Sequence, residues 1–249
     1  MTTGGRVSLP SVVIPLNDKR HGIATHNTLA MTPKKADLTE EIITIKIFSN
    51  MAKLLNWIEA ERKIRDSGAT IFSPVDLKRI LGVSEISIRF FLTRYVKKGT
   101  FVKLRNNLYA LNNRLPSEVE IANALYRPSY ISLTFALAYY HIIPEMVYVV
   151  TSVTTRPTAG FKTLDREFRY HRIKIPAFTG YLPEKIDGKT VLIADKEKAM
   201  VDYLYFVSRK TYEFNGRIDV SALDKRKILR YAELFNSKGL NRLIKELYA

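Results

Sequence analysis

The chain has 249 residues, 46% of them apolar, and a formal net charge of +16 at pH 7. That length can bury a substantial core and favours two domains over one, while the charge points to a polyanionic partner, nucleic acid foremost. The absence of cysteine excludes disulfides, thiolate zinc sites and cysteine nucleophiles. No apolar run reaches the ~20 residues that a bilayer requires, and the apolar patch at 7–16 is broken by Pro10 and Pro15. Neither a membrane span nor a secretion signal is therefore read, and a cytoplasmic location is expected.

Residues 1–38 mix Gly, Pro, Thr, Ser and scattered Lys without periodicity, and are expected to be a disordered arm. Thr39-Glu40-Glu41 is a good helix start, since acids suit the positive end of the helix dipole. Ile43, Ile47, Met51, Leu54, Leu55 and Ile58 then keep helical spacing, which predicts one long helix over 42–65 with Trp57 near its end.

Residues 70–111 carry the densest signal. Ser73 caps a short helix with Pro74 in its first turn, and Gly82 suits the left-handed position after residue 81. Ser84 caps a second helix running to about residue 98. On it Ile88, Phe91, Leu92 and Tyr95 form an apolar stripe, opposite Glu85, Ser87, Arg89, Thr93, Arg94 and Lys97. Two apolar runs, 101–105 and 108–111, flank Asn106-Asn107 and read as a hairpin. Helix, turn, helix and hairpin in this order match a winged helix-turn-helix domain over 39–115. Residues 70–115 hold nine Lys or Arg against two acids, Asp76 and Glu85. A surface that only confers solubility would mix the signs.

Candidate DNA contacts follow from position. Ser84, Ser87 and Arg89 stand near the start of the second helix, where base edges or phosphate are met; Arg89 and Arg94 can fork onto guanine. Thr93 shares that face. Lys97 and Lys98 lie farther along and suit phosphate, and Lys103 and Arg105 on the hairpin suit backbone or minor groove. The plain alternative for each is a solvated side chain.

After a linker at 112–116, residues 118–126 read as a helix capped by Ser117, 129–141 as another helix, and 146–154 as a strand buried on both faces. Residues 161–164 and 167–175 form an expected hairpin, 191–194 a short strand, and Asp195 caps a helix over 196–208. Two helices, 220–236 and 239–248, end the chain. The expected class is α+β, with a C-terminal mixed domain over 117–249.

The segments "VKKGTFVKLRNNLYAL" (96–111), "YISLTFALAYYHIIPE" (130–145), "YVVTSVTTR" (148–156), "FRYHRI" (168–173) and "VLIADKEKAMVDYLYF" (191–206) occur in an order that resembles the AbiEi-type antitoxin family of type IV toxin–antitoxin systems. The resemblance covers roughly residues 70–210, and the chain departs from the pattern in its N-terminal extension and long first helix. It implies a repressor that binds inverted repeats in double-stranded DNA at its own promoter. It also implies a C-terminal antitoxin-type domain that counters a nucleotidyltransferase-type toxin without a stable complex. By the family's motif, the recognition helix falls on 84–98 and the wing on 101–111.

Other chemistry is poorly supported. The four histidines show no HxxxH or HExxH spacing, and no phosphate-cradling glycine motif occurs, so no cofactor or metal is expected. Asp195, Glu197, Lys198 and Asp202 have the composition of a nuclease carboxylate–lysine group, yet Asp195 reads as a cap and Lys198–Asp202 as an i,i+4 pair. The expectation is a non-enzymatic regulator. Two alternatives remain: a stand-alone regulator with a ligand- or partner-binding C-terminal domain, and a metal-dependent nucleic-acid enzyme.

Overall fold

A computed structural model of the protein describes residues 56–248. The expected arm (1–38) and the start of the expected first helix lie outside those residues. Within them the fold is mixed α+β, with eight α-helices and two sheets.

The first described helix, α1 (Trp57–Asp66), opens at Asn56, whose extended backbone and side-chain bond to the Ile58 amide mark a cap. The uninterrupted helix expected over 42–65 is therefore broken at Asn56. Ile58, counted into its apolar stripe, is 75% exposed. Trp57 packs instead on Phe91, Tyr95 and Phe101, with the Tyr95 ring 4.8 Å away. An Asn side chain satisfies the orphan amides of a helix start better than it sits mid-helix, which local apolar spacing does not register.

Next come β1 (Ile71–Phe72), α2 (Pro74–Leu81), α3 (Glu85–Lys97), β2 (Phe101–Arg105) and β3 (Leu108–Leu111). A capping box closes the start of α2: Ser73 Oγ accepts from the Asp76 amide at 3.1 Å, and the Asp76 carboxylate accepts from the Ser73 amide at 2.9 Å. Gly82 ends α2 at φ 69°, and Ser84 Oγ accepts from the Ser87 amide at 3.2 Å to start α3. The expected stripe of Ile88, Phe91, Leu92 and Tyr95 is buried, and with Ile64, Phe72, Leu77 and Phe101 it forms one apolar core. The three strands pair antiparallel in the order β1-β3-β2.

The larger sheet follows α4 (Glu118–Leu125). It contains β4 (Ser129–Ile131), β5 (Val150–Thr154), β6 (Ala159–Thr163), β7 (Arg166–Arg172), β8 (Tyr181–Ile186) and β9 (Lys189–Ala194), in the order β6-β7-β5-β4-β9-β8. The β4–β9 and β5–β7 pairs are parallel and the others antiparallel. The register puts Tyr130, Val153 and His171 on one face, where α6 (Lys196–Ser208) packs, and Tyr170 on the other, where its hydroxyl donates to the Ala122 carbonyl of α4 at 2.6 Å. Helices α5 (Leu133–Tyr139), α7 (Lys225–Glu233) and α8 (Lys238–Leu247) surround α6.

Several boundaries depart from the sequence pattern. The single helix expected over 129–141 is β4 followed by α5, because Tyr130 pairs with Val153 and the Ser132 amide bonds the Thr151 carbonyl. A short fully buried apolar run carries no period that separates strand from helix. The strand expected over 146–154 starts only at Val150; Met146 and Tyr148 are exposed. The strand expected over 167–175 stops at Arg172, and Ile175–Ala177 form a 3-10 turn around Pro176, which has no amide for a ladder. The helix expected over 220–236 shortens to α7 with Asp224 as its cap. Strand β8 had no counterpart in the pattern, although Asp187-Gly188, both at positive φ, is a two-residue hairpin signal.

Candidate nucleic-acid interface

Residues 56–248 fall in one compact unit with two apolar cores, and the β2–β3 hairpin contributes to both. Phe101 and Leu111 join the core beneath α3, whereas Leu104 and Ala110 join the core of the larger sheet. The hairpin is thereby held from both sides, with its tip beside α3.

Between the start of α2, one side of α3 and the hairpin lies an open groove of about 850 Å³. Arg89, Thr93 and Lys97 border it from α3, one helical turn apart, and Lys103 faces it from β2. Glu85 also borders it and accepts from Arg89 at 2.8 Å, both side chains being well exposed. Such a pair is worth about 0.3–0.5 kcal/mol, so the guanidinium can leave it at little cost. Lys78 from α2 and Asn107 and Tyr109 from the hairpin also line the groove. These three were absent from the sequence-derived contact set, because only the tertiary fold brings the hairpin and α2 alongside α3.

The remaining candidates fall elsewhere. Ser84 and Ser87 are occupied with each other at the cap of α3, their hydroxyls 2.9 Å apart. Arg94 and Lys98 lie over the Tyr95 ring, at 5.8 and 5.5 Å from its centroid, on a different side of α3 from the groove. Arg105 differs most. Strict alternation would put it on the same face as Lys103, but the β2–β3 register shifts between those two residues. This bulge turns the Arg105 side chain inward. Its guanidinium donates to the Leu125 carbonyl at the end of α4 and lies 5.0 Å from the Phe161 ring centroid. Arg105 thus ties the hairpin to the larger sheet and does not face outward beside Lys103.

The carboxylate–lysine cluster is committed internally. Asp195 accepts from the Lys198 amide at 2.8 Å as the cap of α6, and from the Tyr231 hydroxyl at 2.6 Å. Glu197 accepts from Lys227 at 3.0 Å and from the Asp224 amide at 3.3 Å. Lys198 and Asp202, both with 0% side-chain exposure, pair with each other, and Asp202 also accepts from Ser132 at 2.7 Å and Tyr130 at 3.1 Å. Burial pushes the Asp202 carboxyl above its ordinary range against the pull of Lys198, and burial pulls Lys198 down. These contacts bind α6 to α7 and to β4. Among the described residues no group of three or more His, Asp or Glu side chains converges as a metal site, and no helix is long and apolar enough to cross a membrane.

No protein-family model matches the chain, and no curated protein matches it.

Proposed function

We propose that residues 73–111 act as a winged helix-turn-helix that binds double-stranded DNA, and that the protein is a transcriptional repressor of the antitoxin type. The observation that carries this reading is the groove in which α2, α3 and the hairpin each supply a cation, against the single, paired acid Glu85. In this reading α3 enters the major groove. Arg89 meets a base edge, Thr93 lies on the same face, and Lys97 and Lys103 meet phosphate. The role is non-enzymatic and needs no cofactor. Autoregulation through inverted repeats, and the countering of a nucleotidyltransferase-type toxin encoded nearby, follow from the ordered segments that resemble the AbiEi-type family.

A second reading, a stand-alone regulator whose C-terminal region binds a ligand, is favoured by one observation. A cleft of about 770 Å³ opens beside β7 and the end of α6, lined by His171, Arg172, Lys174 and Arg209.

The test is binding of the full chain to duplex from the region upstream of its gene, against a shuffled duplex, at two salt concentrations. The expected result is a sequence-dependent complex whose log affinity falls by about 0.9 per phosphate contact for each decade of salt. Equal, weak binding to both duplexes would overturn the repressor reading and leave only general polyanion affinity.

A further inference from the structure

Helix α3 turns more than cations outward. At about 100° per residue, Ile86, Phe90, Thr93 and Lys97 lie within about 30° of the direction opposite the buried stripe of Ile88, Phe91, Leu92 and Tyr95. They form the crest of the helix, the part that reaches deepest when a helix is laid into a groove. Ile86 is 63% exposed. Thr93 donates its hydroxyl to the Arg89 carbonyl at 2.8 Å, so its methyl group is left as its contact surface. Arg89 flanks this apolar crest on the groove side and Arg94 flanks it on the other.

We infer that the crest of α3 reads thymine methyl groups in the major groove. Thymine is the one ordinary base that presents a methyl on that edge, and apolar or Thr-methyl contact is how proteins recognise it. The flanking arginines suit phosphate or guanine on either side, whereas an apolar crest rimmed by cations makes a poor seat for a neutral protein surface. Specificity would then be divided: Ile86 and the Thr93 methyl select 5-methylpyrimidine positions, and Arg89 selects a neighbouring guanine. The inference rests on the DNA-binding reading of this same helix and deepens it.

The experiment selects duplexes from a random-sequence pool with the full-length protein. It then compares each selected duplex with a copy in which deoxyuridine replaces thymidine, using wild type, Ile86→Ala and Lys103→Ala. Wild type is expected to enrich a motif with fixed thymines and to lose about fourfold affinity for each contacted methyl removed, equivalent to about 0.8 kcal/mol for a buried group of that size. Ile86→Ala is expected to bind the thymidine duplex about fourfold more weakly and to lose discrimination at one thymine. Lys103→Ala is expected to weaken both duplexes alike. Because Ile86 is exposed, its substitution should leave the unfolding midpoint unchanged, and Thr93→Ser, which removes the methyl and keeps the hydroxyl bond to the Arg89 carbonyl, provides a second test of the same crest.

Enrichment of a motif that binds equally with thymidine or deoxyuridine would overturn methyl reading while leaving DNA recognition intact. Discrimination that survives in both crest variants would overturn its assignment to this helix, as would a change of oligomeric state in Ile86→Ala with discrimination unchanged. Failure to enrich any motif would sink DNA recognition itself, and this inference with it.

Discussion

Helices α3 and α6 have thirteen residues each, and each carries an acid–base pair one turn apart: Glu85 with Arg89, and Lys198 with Asp202. In a sequence the two pairs look alike. On α3 the pair stands in solvent on a helix that buries one stripe. On α6 burial continues from Glu197 to Phe206 around the whole helix, and the pair has no exposed surface. The same chemistry therefore does opposite work. An exposed pair is nearly neutral for stability and leaves its arginine free to exchange partners. A buried pair cannot be opened without stranding a charge, so it fixes α6 against Tyr130 of the sheet and Ser132 at the start of α5.

The contrast is broken most severely by removing half of the buried pair. Asp202→Ala leaves the Lys198 ammonium buried with no carboxylate, and should lower the unfolding free energy by about 3–5 kcal/mol in chemical denaturation. The double variant Lys198→Met/Asp202→Leu should recover most of that loss. If Asp202→Ala cost less than about 1 kcal/mol, the two pairs would be equivalent and the comparison would fail.

On α3 the corresponding change should act on binding rather than folding. Arg89→Ala should shift stability by no more than about 0.5 kcal/mol. It should lower specific DNA affinity by about 1–3 kcal/mol, whereas Lys103→Ala mainly reduces the salt slope by about one. Equal effects of both changes on specific and random duplexes would remove the division between helix and hairpin.

The smallest expected effect sharpens the buried side. Burial, with Arg169 nearby, holds the His171 imidazole below its ordinary pKa; its ring packs 5.1 Å from that of Phe206 on α6 and shares a hydrogen bond with Tyr212 at 2.9 Å. A lowered folded-state pKa means that the unfolded chain binds the proton first. Stability attributable to His171 is thus complete above about pH 6.5 and declines as the pH falls toward the folded value. Denaturation midpoints measured across that range should show the decline in wild type and a shallower one in His171→Phe.

How far each region could be read from sequence follows the same division. Over 73–111 the caps Ser73 and Ser84, Gly82 at the left-handed stop and the Asn pair at the hairpin are local signals, and the elements lie within a residue or two of where those signals put them. Asp195 and α6 were legible for the same reason. Farther along, Ser129–Ile131 became a strand because β5 and β9 lie on either side of it, and β8 exists because β9 offers it an edge. Those partners are distant or themselves unresolved by local pattern. Among the candidate contacts, Arg89, Thr93, Lys97 and Lys103 converge on one groove, whereas Arg105 lies apart from it because of a bulge that nothing in "KLRNNL" reveals.

The sequence by itself determined the class, the helix starts and stops, the buried stripe of α3 and the concentration of positive charge, because capping, periodicity and composition act within a few residues. Tertiary structure decided the rest: which cations share a groove, which ones are spent inside the fold, and which of two similar ion pairs is structural. Those outcomes depend on burial and on strand register between segments far apart in the chain, and no local spacing encodes them.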